Sequence, residues 1–214
     1  MINVYKSSRP LVSVVMPTYN RASYFKRSIC SVLNQTFTDW ELVVVDDGSS
    51  DNTFEIVNEY VNQFVNVRYI KHSNRKTPLT INAGLLASCG NYITFLDSDD
   101  EYKPDHLKLR IDFMINNPSI DIIHGGIEII GYPYVKDKNE LSKEIHISEC
   151  IVGGTFFGKR RVFFELDGFQ NLAYSNDSDF LERAENKFNI SKVFWSTYIY
   201  YRDTPDSICT TIRG

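Results

Sequence analysis

The chain has 214 residues, of which 43% are hydrophobic and 14% aromatic, enough to build one domain around a sizeable core. Its formal net charge of −4, with no long run of Lys and Arg, gives no electrostatic footprint for tracking along nucleic acid. No apolar stretch approaches the roughly 18 residues that span a bilayer, and Cys30, Cys89, Cys150 and Cys209 form no CxxC pair, which argues for reduced thiols in a cytosolic protein over a zinc site or a disulfide framework.

Taken in chain order, Leu11 to Met16 and Leu42 to Val45 are short, nearly continuous apolar runs, as expected of strands buried on both faces of a parallel sheet. Between them, Phe25, Ile29, Val32 and Leu33 share one face of a helix, which makes a βαβ unit. Ser50, Asp51 and Asn52 offer caps for a second helix with the stripe Val57, Tyr60, Val61 and Phe64, and Val67 to Ile70 reads as a third strand. A helix over Leu79 to Ser88 then leads into a fourth strand, Tyr92 to Leu96. After Pro104 a helix is expected to bury Leu107, Ile111, Met114 and Ile115. This alternation predicts an α/β fold with an open, mostly parallel sheet flanked by helices.

Beyond Pro118 the order loosens. Ile122 and Ile123, then Ile127 to Ile130, read as strands, whereas Gly131 to Ser148 is polar, lacks periodicity and reads as a mobile loop. Helices around Arg160 to Leu166 and Asp177 to Asn186, and aromatic strands near Val193 and Tyr198 to Tyr201, complete the chain. With no internal repeat or linker, residues 1–214 read as a single domain.

In open α/β sheets ligands gather beyond the carboxyl ends of the strands, and three strands here end in polar residues: Pro17 to Asn20, Asp46 to Ser49, and Asp97 to Asp100. Asp97 and Asp99, two apart on an extended segment, would set their carboxylates side by side, with Asp100 a third charge nearby. At about 4 Å two such charges repel by roughly 4 kcal/mol in a partly buried site, so a proton or a cation must relieve them. Mg²⁺ or Mn²⁺, sharing hard oxygen ligands with a substrate diphosphate, answers that need. The alternative makes these residues turn formers, with Asp100 capping the helix after Pro104. At the rim of the second strand, Asp47 can accept a hydrogen bond from a nucleobase or form an Asx turn with Gly48, and Tyr19 can stack on the same base or be a rim aromatic. His72, His106, His124 and His146 have no metal-ligand spacing.

The segments Val14 to Asn20 (VVMPTYN), Val43 to Thr53 (VVVDDGSSDNT), Asn91 to Asp100 (NYITFLDSDD) with Pro104, and Asn176 to Arg183 (NDSDFLER) occur in an order that resembles the inverting glycosyltransferase family 2, which has the GT-A fold. The resemblance covers about residues 10–208 and implies a Rossmann-like nucleotide-sugar-binding half at about 10–118, with a smaller acceptor-side half at about 119–208. It implies that Pro17, Tyr19 and Asp47 line a nucleoside pocket, and that Asp97 and Asp99 are the DxD pair on the ribose and the metal. Asp177 matches the catalytic base, with Asn176 where the family's motif usually has Glu, and Arg202, in a stretch ending at Ser207, matches an arginine near the donor phosphates. Gly153, Gly154 and Thr155 resemble the segment below the acceptor site. Where the family usually carries a Gly and an Arg-Asn pair, this chain reads Asn74, Arg75, Lys76, Thr77, Pro78, then Ile81 and Asn82, so Arg75 or Lys76 either replaces a charge near the diphosphate or is a solvated loop residue.

The implied partners are a nucleotide-diphosphate sugar, foremost a UDP-sugar, with Mn²⁺ or Mg²⁺, and a saccharide or lipid-linked saccharide acceptor. The implied setting is surface polysaccharide synthesis in the cytoplasm, at the inner face of the membrane. Two other readings stay open at this point. A sugar-1-phosphate nucleotidyltransferase would carry a Gly-rich, Arg-containing loop after its first strand, where this chain has Pro17, Thr18, Tyr19 and Asn20. A catalytically silent nucleotide-binding domain is the other.

Overall fold

A computed structural model describes residues 9–140, 142–202 and 204, so Ser207 and Cys209 lie outside the described residues. The elements run β1 (Val12–Thr18), α1 (Ala22–Leu33), β2 (Trp40–Asp46), α2 (Thr53–Gln63), β3 (Val67–Lys71), α3 (Thr77–Ala87), β4 (Tyr92–Phe95), β5 (Glu101–Tyr102) and α4 (His106–Asn116). There follow β6 (Ile122–His124), β7 (Ile127–Ile130), β8 (Tyr134–Lys136), β9 (Glu144–His146), β10 (Phe157–Lys159), α5 (Arg160–Glu165), α6 (Asn176–Glu185), β11 (Ile190–Lys192) and β12 (Tyr198–Tyr201).

The main sheet has the order β11-β6-β10-β4-β1-β2-β3. All its neighbours pair in parallel except β10, which runs antiparallel to both β4 and β6. The alternation along β1 explains the layers, because successive side chains point to opposite faces. Val12, Val14 and Met16 join the apolar cluster under α1, α2 and α4, whereas Val15 joins Ile93, Phe95, Phe163 and Phe180 under α5 and α6. Helix α3 lies on the Val15 face, where Gly84 permits close contact: a Cβ there would fall 2.3 Å from Val15 Cγ1.

From β1 the chain steps outward through β2 to β3, and α3 then carries it back across to β4 on the other side of β1. The crevice opens where the strand order reverses, beyond the carboxyl ends of β1, β2 and β4.

Several expectations are corrected. Gly131 to Ser148 contains a hairpin, β8 paired antiparallel with β9, and a 3-10 turn at Ile147–Glu149. Strands of three residues are too short to declare a period, and this pair buries Val135 while Lys136 and Glu144 form an ion pair. Helix α4 leaves Ile115 exposed and buries His106 and Arg110, whose guanidinium donates to Thr197 Oγ1 and Gly125 O. Its N-cap is Asp105, so Asp100 does not cap it. Asn52 holds the N-cap of α2 without a side-chain bond, and the Thr53 amide is taken by Asp51 Oδ1 instead.

Candidate active site

The first two strand ends are laced together by Asn20, whose φ of 51° turns the chain sharply after β1. Its Oδ1 accepts from the Ser50 amide at 2.8 Å, and its own amide donates to Ser49 Oγ at 2.9 Å. The Asx turn at the end of β2 belongs to Asp46, whose Oδ1 accepts from the Ser49 amide at 2.7 Å. The Asx turn, the alternative role for Asp47, is therefore made by its neighbour. Asp47, 4% exposed, reaches the loop before α3, with Oδ1 accepting from the Arg75 amide at 2.7 Å and Oδ2 from the Lys76 amide at 2.9 Å. That grip holds Lys76 at φ 71°, ψ 158°, a region otherwise nearly reserved for glycine. The side chains of Arg75 and Lys76 are exposed and do not line the crevice.

The aspartates after β4 form a turn closed by the Asp100 amide on Asp97 O at 3.0 Å, rather than an extended segment. Asp100 turns inward. Its Oδ2 accepts from the Tyr198 hydroxyl at 2.7 Å and its Oδ1 from the Tyr201 amide at 2.9 Å. Burial, reinforced by the charges of Asp97 and Asp99, holds its carboxyl well above the usual carboxylate range. Asp97 and Asp99 face the crevice, where burial and then the charges of Asp99 and Asp177 push the Asp97 carboxyl up to about 7. Among the described residues the Asp99 carboxylate forms its ion pair with Arg21, whose Nε lies 3.3 Å from Oδ2.

Opposite this cluster, Asp177 sits in the first turn of α6. Its Oδ2 accepts from the Gly153 amide at 3.1 Å and its Oδ1 from the Ser178 amide at 2.9 Å. Burial raises its carboxyl above the usual range, against those hydrogen bonds. Gly153 opens the 3-10 turn Gly153–Thr155, and a Cβ on it would meet Asp177 Cβ at 3.2 Å, so glycine allows the two segments to close on the carboxylate.

Pro17, Tyr19, Asp47, Asp97, Asp99 and Asp177 thus line a single cavity of about 770 Å³, which Gly153 and Gly154 also line and the β8–β9 hairpin walls with Val135, Lys138 and Ile145. Tyr19 remains 46% exposed at its edge, open to stacking. Arg202 is not brought to the cavity: its guanidinium donates to the carbonyls of Tyr132 and Tyr134, each at 3.3 Å, and holds the start of the hairpin. Sequence reasoning missed Arg21, although it directly follows the Pro17 to Asn20 segment, and missed Tyr198 and Tyr201 as supports of Asp100. A divalent ion fits the pair Asp97 and Asp99, whose crowded hard oxygens are offset, among the described residues, by the Tyr198 hydroxyl at Asp97 and the Arg21 guanidinium at Asp99. Among the described residues no set of three Asp, Glu, His or Cys side chains forms a complete cage, so such an ion would take further ligands from a diphosphate and water.

The sequence and the fold both have relatives. Over 146 residues the chain is 34% identical to TuaG of Bacillus subtilis, a glycosyltransferase whose name assigns it to teichuronic acid biosynthesis, covering 67% of this chain and 55% of that protein. It is 38% identical over 120 residues to the UDP-Glc:alpha-D-GlcNAc-diphosphoundecaprenol beta-1,3-glucosyltransferase WfgD of Escherichia coli, covering 56% of this chain and 47% of that protein. The matches therefore span about half the length of these relatives. The structure of S. aureus TarS residues 1–349 in complex with UDP-GlcNAc superimposes with a TM-score of 0.79 over 95% of this chain and 61% of that one, at 24% identity. That likeness bears out the GT-A fold. The family model described as glycosyl transferase family 2 matches residues 13–170, most of the sheet and the polar ends of β1, β2 and β4, and the chain belongs to that family.

Proposed function

We propose that this chain is an inverting glycosyltransferase domain that moves a hexosyl or N-acetylhexosaminyl unit from a nucleotide-diphosphate sugar, foremost a UDP-sugar, to an acceptor hydroxyl. The observation that carries the reading is the convergence of Pro17, Tyr19, Asp47, Asp97, Asp99 and Asp177 on one cavity at the topological switch point. Residues of about 10–118 supply the donor side and those of about 119–208 the acceptor side.

In this reading the base stacks on Tyr19, and the lone pairs of Asp47 not used by the Arg75 and Lys76 amides accept from it. Asp97 contacts the ribose, and Asp97 and Asp99 hold Mn²⁺ or Mg²⁺. When bound, the ion acts as a Lewis acid on the donor diphosphate. The acceptor oxygen attacks the anomeric carbon from the face opposite the leaving group, so one C–O bond forms as the other breaks and the configuration inverts. Asp177 takes the proton of the attacking hydroxyl, and the raised affinity of its buried carboxylate for protons suits it to that task. The nucleoside diphosphate leaves with the bonding pair.

The acceptor is a saccharide or a lipid-linked saccharide in surface polysaccharide assembly, at the cytoplasmic face of the membrane. WfgD, named for a diphosphoundecaprenol-linked substrate, supports this, as does the UDP-GlcNAc in the TarS complex for the donor. Among the described residues no helix is long and apolar enough to cross a membrane. The reading is tested by thermal stabilisation across UDP-, GDP- and dTDP-sugars, with Mn²⁺ and with EDTA. Stabilisation by one nucleotide class that requires the ion is expected, and the absence of any stabilisation refutes the reading.

A further inference from the structure

The cavity is lined by Asp47, Asp97, Asp99, Asp137, Glu149, Asp177, Glu182 and Glu185 against three cations, Arg21, Lys136 and Lys138. The two lysines are committed on the acceptor side, Lys138 to Glu182 and Lys136 to Glu144. Arg21 is the cation of the donor side. It sits at the N-cap of α1, where its backbone is fixed by Thr53 Oγ1 accepting from its amide at 3.3 Å. Its guanidinium is less constrained. Beyond Nε on Asp99 Oδ2 at 3.3 Å, its other hydrogen bond among the described residues is a long one, Nη1 to Asn20 O at 3.4 Å. Both side chains of the ion pair keep about a fifth of their surface exposed, 18% for Arg21 and 19% for Asp99, so the pair opens to the cavity rather than lying in the core. Arg27 contrasts with it: its Nη2 donates to the Asp99 carbonyl and its guanidinium lies 3.5 Å from the centre of the Tyr201 ring, so it braces the turn from behind.

A cation at Asp99 cannot share the same carboxylate face with a guanidinium, because two positive centres in contact repel across a partly dry site. At Oδ2, the oxygen that Arg21 holds, the ion and the guanidinium therefore compete. A guanidinium released at this place stands beside the position of a metal-held diphosphate, whose oxygens it can grip with its fork of donors.

We propose that Arg21 is an exchangeable counter-ion: it neutralises Asp99 in the free protein, yields that carboxylate to the divalent ion, and passes to the donor diphosphate. This rests on the reading that Asp99 takes the ion. It assigns to Arg21 the phosphate contact that the family resemblance gives to Arg202, which the fold spends on the hairpin carbonyls.

The exchange makes two effects of opposite sign. In Arg21→Gln, Mn²⁺ alone should bind about two- to fivefold more tightly, since a competing ion pair is gone. UDP at saturating Mn²⁺ should bind about tenfold to a hundredfold more weakly, since a charge-assisted contact is gone. Arg21→Lys, which keeps the charge and loses the fork, should return Mn²⁺ affinity to the parent's and recover part of the UDP affinity. Mn²⁺ is followed by the loss of the free-ion EPR signal and UDP by calorimetry, on the whole chain. If the parent binds Mn²⁺ and UDP but Arg21→Gln leaves Mn²⁺ affinity unchanged or weaker, or leaves UDP affinity unchanged, the exchange is overturned and the function stands. A parent that binds neither overturns both.

Discussion

Replacing Asp177 by Asn separates catalysis from structure, because the local geometry lets each cost be worked out. The carboxylate accepts two backbone amides, Gly153 on Oδ2 and Ser178 on Oδ1. An amide side chain offers one acceptor oxygen, so one of those bonds is lost, at about 1 kcal/mol. Loss of a negative charge from the first turn of α6 adds a few tenths more, while relief of the buried charge works in the other direction. For a chain of this size about 1 kcal/mol lowers the melting temperature by about 2–4 °C. The loss of a positioned base is much larger, about 10² to 10⁴ in rate, or about 3–5 kcal/mol of barrier. Asp177→Asn should thus melt within a few degrees of the parent, bind UDP and Mn²⁺ nearly as well as the parent, and lose at least 99% of transfer from a UDP-sugar to its acceptor, an estimate that follows from the factor of about 10². Differential scanning fluorimetry and a transfer assay report the two quantities side by side. A variant with near-parental turnover would leave Asp177 as a tie between the Gly153 turn and α6, and the mechanism without its base.

Lys76→Gly should stabilise the fold by about 1 kcal/mol in urea denaturation, because relief of a glycine-type backbone outweighs the extra chain entropy; a loss of stability would refute the strain assigned to φ 71°. Asp47→Ala should raise the donor KM more than it lowers kcat, by about 1–3 kcal/mol in binding, because its contacts are the same in ground and transition states; an unchanged KM would leave Asp47 as a loop anchor alone. Burial, with help from Lys192, holds His124 near 4 instead of 6.5, so the unfolded chain binds the proton first and about 3 kcal/mol of stability, present above pH 6.5, is lost as pH falls towards 4. The raised carboxyls of Asp97, Asp100 and Asp177 work the opposite way as pH falls, so the measurement is the difference between parent and His124→Asn: the variant should lack this acid-side loss, and parallel curves would refute it.

The N-terminal half was legible because its signals are local. Residues 12–16, apart from Ser13, and 42–45 are apolar, as strands covered on both faces must be, and the polar segments after them fall at the rim by construction. Illegible elements depend on partners distant in sequence. Phe157–Lys159 is a strand because Tyr92 to Thr94 lie on one side and Ile122 and Ile123 on the other, which no window around it can reveal. The burial of Arg110 likewise requires Thr197 and the Gly125 carbonyl, both supplied by another part of the chain. For the site, motif order placed six side chains on one cavity but not Arg202, since the direction of a long side chain is set by which carbonyls lack partners nearby.

The acid cluster shows why a turn hydrogen-bonded on several sides carries the least comfortable part of the site. Carboxyls held above their usual range are destabilising when ionised, and Asp97, Asp100 and Asp177 are all of this kind. A loose turn would relieve itself by swinging one of them into water. Here it cannot: Asp100 is bound by the Tyr198 hydroxyl and the Tyr201 amide, its carbonyl accepts from Ser28 Oγ at 2.6 Å, and Arg27 holds the Asp99 carbonyl. These supports come from α1 and β12, elements that the turn itself does not touch in sequence. The electrostatic tension is thereby kept at Asp97 and Asp99, where an arriving cation relieves it most. Ion affinity at this rim should follow from the hydrogen bonds that hold the turn as much as from its charge, so that Tyr198→Phe, which removes the hydroxyl shared by Asp100 and Asp97 and no charge from the cavity, weakens Mn²⁺ binding; equal affinity in parent and variant would show that charge alone suffices.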